Sequence, residues 1–518
     1  MAKRKREETT KDARVSSQQP SKVVKSTTSH EPPSSSVDLP AVTLQIITGS
    51  YERVLHGFTA AIPPSCFSSS EEKDSSAHSS AVQFIDTFLF EAHASAIRCL
   101  ALSPRPNADS TEDSPKVILA SGATDETIKL YSLSAAPLEV NEQYPSIPTL
   151  AGNKILENPK NRELGTLLHH SSSISALHFP SRSKLLAASE DNTISVTRTR
   201  DFAVVSTIKA PHPKVQGRPS GDTAPPGGSP SGVNDFAVHP SMKLMLSVGK
   251  GEKCMRLWNL VTGKKAGVLN FSREILQAVK EGKWSTGEGR KIVWDTKGEE
   301  FAVAFEWGAV VFGIDSTPIC RIYPSPRSKI HQMKYINKDP SAEDGDELLA
   351  VSTEDGRVIF YSTKKVQKPQ DEDDSPIPYA EAVAELGGKA SGFPGRVKDF
   401  EILSLKNETA GPKDGFLVVT GNSEGVIRVW YVPGEDLTGK GKGGKTSKTK
   451  DEKASKTPQV GKFLNAYETG NRITCLKGFV MLPSEDPSSL LDSEEEFEGL
   501  DSDEEDESES EESDAICC

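Results

Sequence analysis

Cysteine is scarce in this chain of 518 residues, aromatics make up only 6%, and no apolar run is long enough to cross a bilayer. The seven cysteines lie scattered at 66, 99, 254, 320, 475, 517 and 518, with no Cys-x-x-Cys pair. That spacing argues against a disulfide framework or a zinc site and for a reducing compartment. Cys99 and Cys475 read as small buried apolar residues. The opening Met1-Ala-Lys-Arg-Lys-Arg6 lacks the apolar core of a secretory signal. The final Ile516-Cys-Cys518 lacks C-a-a-X spacing, and its acidic flank opposes membrane binding. No Ser-His-Asp order or glycine-rich dinucleotide turn sits in the context its chemistry needs. Gly439 to Thr446 does satisfy G-x-x-x-x-G-K-[ST]. A phosphate loop, however, needs a helix directly after it, and Ser447 to Thr457 offers no apolar face for one. The stretch Gly439 to Lys456 reads instead as a basic loop able to touch RNA phosphates without reading sequence. No catalytic residue, cofactor, metal or membrane contact is expected.

Charge is plentiful but divided. The 61 Lys and Arg and 74 Asp and Glu give a formal net charge of −13. Seventeen of those acids, and no Lys or Arg, fall in Ser484 to Cys518, so the remainder carries a net +4. A block such as Asp501 to Glu512 repels itself and cannot build a core, so residues 484–518 are expected to form a disordered acidic tail. Such a tail suits solubility, or holding a basic protein until RNA replaces it. Phosphorylation of Ser493, Ser502 or Ser508, each followed by acids, would deepen its charge. Residues 1–40 read as a disordered basic arm, with Lys3, Arg4, Lys5 and Arg6 as a nuclear localisation signal.

Between these tails, residues 41–483 repeat a phrase of short apolar stretches bounded by turn residues, which predicts small antiparallel sheets. The first copy has Ile97 to Leu102, Val117 to Ser121 and Ile128 to Tyr131. Others begin at Ile174, Val233, Lys291, Lys334 and Val397, the one at Lys291 being the weakest. A seventh is split: Ile473 to Val480 supplies one strand, and Thr43 to Thr48, Val54 to Ala60 and Val82 to Phe90 supply three. Sheets repeating at roughly 40 residues predict an all-β, seven-bladed propeller closed by both ends of the chain, with disordered tails and loops.

Residues inside each unit resemble the WD40 family, whose blades are fixed by hydrogen bonds among His, Ser or Thr, Asp and Trp. The first unit offers His93, Ser121, Asp125 and Tyr131; later ones offer Asp191, Trp258, Asp355 with Tyr361, and Thr420 with Trp430. His169, His170 and His212 suit the His place before a first strand. The second unit departs with Ala187 and Thr197, the third has an extra residue before Trp258, and less rigid blades are expected there. Longer phrases narrow the match. Gly49 to Phe58, Ala123 to Ile128, Leu246 to Gly249, Leu257 to Val261, Arg396 to Asp399 and Asn471 to Leu476 resemble segments of the PAK-interacting WD40 proteins. Fungal members of that family, the maintenance-of-killer proteins, assemble the large ribosomal subunit. The resemblance therefore implies a nucleolar scaffold that joins the pre-60S particle as a monomer, helps load a ribosomal-protein-like factor and makes backbone contacts to rRNA. Animal relatives imply an alternative, an adaptor restraining a p21-activated kinase. A weaker one is a histone-binding or ubiquitin-ligase adaptor, since the fold serves all of these.

Insertions at 64–80, 135–162, 365–378 and 434–459 fall on one rim of such a ring, whereas 216–231 and 275–288 fall on the other. Loops tolerate insertion where packing is undisturbed. The more compact rim is then the better gripping face. Arg98, Arg396, Lys398 and Arg472, near the starts of innermost strands, are its candidate partner-binding residues.

Overall fold

The computed structural model describes residues 41–67, 82–106, 115–137, 147–148, 154–212, 231–282, 285–338, 346–368, 375–406, 408, 411–438 and 457–483. The basic arm, the phosphate-loop-like segment and the acidic tail lie outside the described residues. From Val42 to Val480 the chain forms a seven-bladed β-propeller of four-stranded antiparallel meanders. Blade 1 is Ile97–Leu102, Lys116–Ala123, Ile128–Ser134 and Arg162–Leu167; blade 2 is Ile174–Ser181, Lys184–Ser189, Thr193–Arg198 and Val204–Lys209. Blade 3 is Val233–Val238, Leu244–Gly249, Cys254–Asn259 and Lys264–Asn270; blade 4 is Lys291–Trp294, Glu300–Ala304, Ala309–Gly313 and Pro318–Ile322. Blade 5 is Ile330–Asn337, Glu347–Thr353, Arg357–Gln367 and Tyr379–Gly387; blade 6 is Val397–Ser404, Gly415–Asn422, Val426–Pro433 and Lys462–Glu468. The seventh pairs Ile473–Val480 with Val42–Ser50, followed by Val54–Ile62 and Gln83–Glu91. Ile47 faces Lys477 and Leu44 faces Val480 across that seam.

No single core holds the ring. Seven hydrophobic clusters among the described residues each join one blade to the next. Alternation along the strands explains this. In blade 5, Leu349 and Val351 pack toward blade 4, while Leu348 and Ala350 pack toward blade 6. Middle strands are therefore buried on both faces, which is why they read as continuous apolar runs. At the seam, Leu44, Ile46, Phe58 and Leu476 pack against Leu417, Val419 and Val429 of blade 6.

Two stretches read from sequence as plain insertions contribute structure. Within 275–288 lies the end of a helix, Arg273–Ala278, capped by Ser272, whose side chain accepts from the Ile275 N–H. Its Ile275 and Ala278 fill the space between blades 3 and 4, sealing the blade whose sequence signal is weakest. The buried Arg321 guanidinium donates to the Ala278 carbonyl at 3.1 Å and stacks 3.7 Å over Tyr379, joining blades 4 and 5 along their outer strands. Within 135–162, the short strands Ile147–Pro148 and Lys154–Ile155 extend the outer edge of blade 7.

Closure makes a direct test possible. A chain ending at Leu482 should stay monomeric with unchanged thermal unfolding, whereas one ending at Arg472 leaves the Val42–Ser50 edge unpaired and should aggregate or melt earlier. Size-exclusion chromatography with a thermal melt reads both.

Candidate functional site

Clasps of polar side chains fix individual blades. In blade 1, His93 Nε2 lies 2.7 Å from Ser121 Oγ, and His93 Nδ1 lies 3.2 Å from Asp125 Oδ2. A carboxylate only accepts, so Nδ1 carries the proton and Nε2 receives the Ser121 hydroxyl. Asp125 also accepts from the Ala94 and Thr127 N–H groups, tying the loop entering the blade to the turn between its second and third strands. Burial pushes the His93 pKa down, against the pull of Asp125. Burial would raise the Asp125 pKa, but hydrogen bonds from Thr127 and the neighbouring His93 hold it below the usual carboxylate value.

Blade 2 builds the same clasp from different residues. His170, not His169 or His212, takes the His place, 3.2 Å from Asp191 and 2.8 Å from Ser195 Oγ. Ser195 is the cross-strand partner of Ala187, and Ala187 stands where blade 1 has Ser121. The hydroxyl has crossed to the adjacent strand and still reaches the imidazole, so the Ala187 departure leaves the polar network intact. His169 also touches Ser195, at 2.7 Å, and the exposed His212 meets the Asn192 side chain at 2.7 Å instead of entering blade 3. Thr197, in the Trp place, has its hydroxyl buried without a hydrogen bond.

Elsewhere the clasp is partial or replaced. Trp258 Nε1 donates to Ser247 at 2.8 Å, and Trp430 Nε1 to Thr420 at 3.4 Å. Tyr131 and Tyr361 fill the Trp place as buried rings, Tyr131 lying 5.6 Å from Phe90. In blade 5 no His among the described residues meets Asp355. Arg357 does that work: its guanidinium donates to Asp355 (2.9 Å), Glu385 (3.2 Å) and the Ser325 carbonyl (2.8 Å). Blade 7 uses a buried His56 and Asp86 pair at 2.9 Å, with Asp86 also accepting from Tyr467 of blade 6. Neither substitute was apparent from the family pattern, although Arg357 follows Asp355 at the spacing that Thr127 and Thr193 keep from theirs.

The innermost strands enclose an axial channel, a cavity of 820 Å³. In six blades the register slips near the start of the innermost strand, skipping one residue. Such bulges re-aim a side chain. Here the skipped residues, Arg98, Ser175, Asn234, His331, Lys398 and Thr474, all line the channel. Blade 4 has no slip, and Arg290, two before the buried Ile292 as Lys398 is two before the buried Phe400, completes the ring. Below it, Asp235 accepts from the Ile292 N–H (3.1 Å) and Asp399 from the Leu476 N–H (2.9 Å), each reaching into the next blade. Deeper still, Glu401 of blade 6 pairs with Lys334 of blade 5 and, at 3.2 Å, with Lys477 of blade 7. Burial would raise the Glu401 pKa, but the two lysines hold it below the usual range.

Of the four candidate gripping residues, Arg98 and Lys398 belong to this ring. Arg396 lies just outside, paired with Glu354 at 3.2 Å, and Arg472 lies 5.5 Å from the Tyr51 ring. All four come from blades 6, 7 and 1, a continuous arc. Every blade also carries a Glu between its second and third strands: Glu52, Glu126, Glu190, Glu252, Glu306, Glu354 and Glu424. None is buried. That turn lies on the same rim as the start of the innermost strand, so the seven form a collar around the ring, in which Arg98 and Lys250 hold Glu190, Arg256 holds Glu252, Arg290 and Lys329 hold Glu306, and Arg396 holds Glu354.

The chain matches the family "WD domain, G-beta repeat" over residues 83–132 and 161–197. Each stretch runs from the outer strand of one blade through the third strand of the next, and each contains a complete His and Asp clasp. The chain carries WD40 repeats. It is 27% identical over 409 residues to "Protein MAK11" of Saccharomyces cerevisiae, covering 74% of this chain and 77% of that one. To "p21-activated protein kinase-interacting protein 1-like" of Xenopus laevis it is 23% identical over 443 residues, covering 85% and 83%. "Shk1 kinase-binding protein 15" of Schizosaccharomyces pombe matches at 25% over 277 residues, 53% of this chain and 61% of that one. These homologues belong with the PAK-interacting WD40 proteins that the phrases above resemble, and WD40-domain proteins are generally non-catalytic scaffolds.

The crossed hydroxyl in blade 2 is testable. Ser195→Ala leaves the His170 imidazole short of a partner and should cost about 1–3 kcal/mol in denaturant unfolding. Adding Ala187→Ser, which restores the blade 1 arrangement, should recover part of that loss.

Acid should also act through the clasps. Hydrogen bonds from His170 and Thr193 hold the Asp191 pKa well below its ordinary value, against the opposing effect of burial. A carboxyl whose pKa is lower folded than unfolded contributes fully above about pH 4 and loses that contribution as pH falls through the folded value. Asp191→Asn should therefore melt earlier at neutral pH and show a shallower loss of stability on acidification than the parent chain.

Proposed function

We propose that this protein is a non-catalytic scaffold for nucleolar assembly of the large (60S) ribosomal subunit. It joins the pre-60S particle as a monomer, holds a ribosomal-protein-like assembly factor and touches rRNA through phosphate contacts. The observation carrying this reading is the similarity to yeast MAK11 across 77% of that protein. Resemblance to the maintenance-of-killer proteins then implies the ribosomal role. Composition supports it: Lys3 to Arg6 suits nuclear import, the Lys-rich Gly439 to Lys456 suits phosphate contact, and the seventeen acids after Ser484 suit a basic client.

A second reading, an adaptor that restrains a p21-activated kinase, is favoured by the names of the Xenopus and Schizosaccharomyces relatives. The two readings differ in what travels with the protein. Affinity purification of the tagged chain should recover large-subunit precursor rRNA, and depletion should lower 60S relative to 40S subunits in sucrose gradients. Recovery of a kinase without precursor rRNA, and balanced subunits after depletion, would select the adaptor.

A further inference from the structure

We propose that one rim of blades 2 and 3, opposite the starts of the innermost strands, is a docking surface for an acidic segment of this same chain, residues 490–500. This proposal is independent of the ribosomal reading. Long connections occupy that rim in blades 1, 5, 6 and 7, whereas blades 2 and 3 have only short turns there. Apolar side chains stand uncovered along those turns: Val205 is 54% exposed, Met242 55% and Val261 76%. They belong to one patch. The Leu260 N–H donates to the Lys243 carbonyl at 2.8 Å, and a Cβ at Gly263 of blade 3 would lie 3.7 Å from Ser206 Oγ of blade 2. The same turns are basic. Residues 181–184, 198–204, 238–244 and 259–265 carry seven Lys and Arg and one acid, Asp201, which Arg198 holds at 3.0 Å. Lys184, Arg200, Lys243, Lys264 and Lys265 are all exposed. The matching turns of blade 4, 295–300 and 313–318, carry four acids and one Lys, so the basic character stops at blade 3 on that side.

A surface both apolar and cationic fits a ligand both apolar and anionic. RNA phosphates would neutralise the lysines and leave the valines in water. Residues 490–500 supply both kinds of group. Leu490, Leu491, Phe497 and Leu500 stand among Asp492, Glu494, Glu495, Glu496 and Glu498, with no Lys or Arg between them. The path of the chain brings this segment close. Ile473–Val480 ends on the same rim, and the Leu482 N–H donates to the Ala135 carbonyl of blade 1 at 2.8 Å. Ala135 donates in turn to Pro115 at 2.9 Å, and the adjoining Lys116 carbonyl accepts from Arg182 of blade 2 at 3.0 Å. The tail therefore leaves the ring beside blade 1, next to the patch. The stretch from Pro483 to Leu490 reaches about 25 Å when extended. So short a tether holds the segment at a millimolar effective concentration, and a weak contact is then enough.

Zero-length carbodiimide crosslinking of the full chain, read by mass spectrometry, tests this. Carboxylates of residues 492–498 should couple to Lys243, Lys264 and Lys265 in preference to the lysines of 1–40 and 439–456. Phe497→Ser in the tail and Val261→Ser in the ring change no charge and should leave the melting temperature as it is. Phe497→Ser should lower the coupling about tenfold, the worth of one apolar side chain returned to water, and Val261→Ser should lower it severalfold. In a mixture of isotope-labelled and unlabelled chain, the coupled pairs should lie within one copy. Coupling spread evenly over all lysines, coupling indifferent to Phe497→Ser, or coupling chiefly between copies would overturn the proposal. So would an oligouridylate that loses affinity in Lys264→Glu and binds equally well with or without Phe497→Ser, which would assign the patch to RNA.

Discussion

Pairing of Ile473–Val480 with Val42–Ser50 is the contact on which the rest of the ring depends. Each blade buries its faces only against its neighbours, so an open ring would leave blades 6 and 1 each with one uncovered apolar face. Closing by an inserted strand, rather than by blade against blade alone, makes the last interface a set of backbone hydrogen bonds. Side chains reinforce the same seam. Asp399 holds the Leu476 N–H, Glu401 holds Lys477, and Asp86 holds Tyr467. All three are carboxylates, and Glu401 is held from both sides, by Lys334 of blade 5 and Lys477 of blade 7.

The clasps show how loosely a buried polar network constrains sequence. What the fold requires is that a group in the loop before the first strand be tied to the turn between the second and third. His with Asp does this in blades 1 and 2, and in blade 5 Arg357, held by Asp355 in the turn, reaches the Ser325 and Pro326 carbonyls of that loop. The hydroxyl can sit on either of two paired strands, as Ser121 and Ser195 do, because a cross-strand neighbour projects from the same face at nearly the same place.

Much of the fold was legible because strand periodicity and turn residues are local signals. Even the weak fourth blade, Lys291 to Gly313, lies where its apolar stretches place it. The helix Arg273–Ala278 was not legible: its six residues are too few for a helical period to show, and its apolar Ile275 and Ala278 declare themselves only against blades 3 and 4. At the candidate site, reading the starts of innermost strands located Arg98 and Lys398. It could not give the bulges that turn those residues inward, since a register slip depends on the partner strand. Nor did it single out the collar, whose members mean little until seven turns are brought to one rim. His212 was misplaced because a His before a strand is a common sequence event, and only geometry says which one meets an Asp.

Long connections occupy one rim of the ring, and the more compact face, with its channel-lining side chains, occupies the other. Both require a closed and rigid scaffold, so the most direct measurement is native-state hydrogen exchange read by mass spectrometry. If the chain ends truly close the ring, peptides covering Val42–Ser50 and Ile473–Val480 should exchange together, no faster than the middle strands of blades 5 and 6. Early exchange of Ile473–Val480, with Val42–Ser50 still protected, would contradict closure as the constraint on which the fold depends.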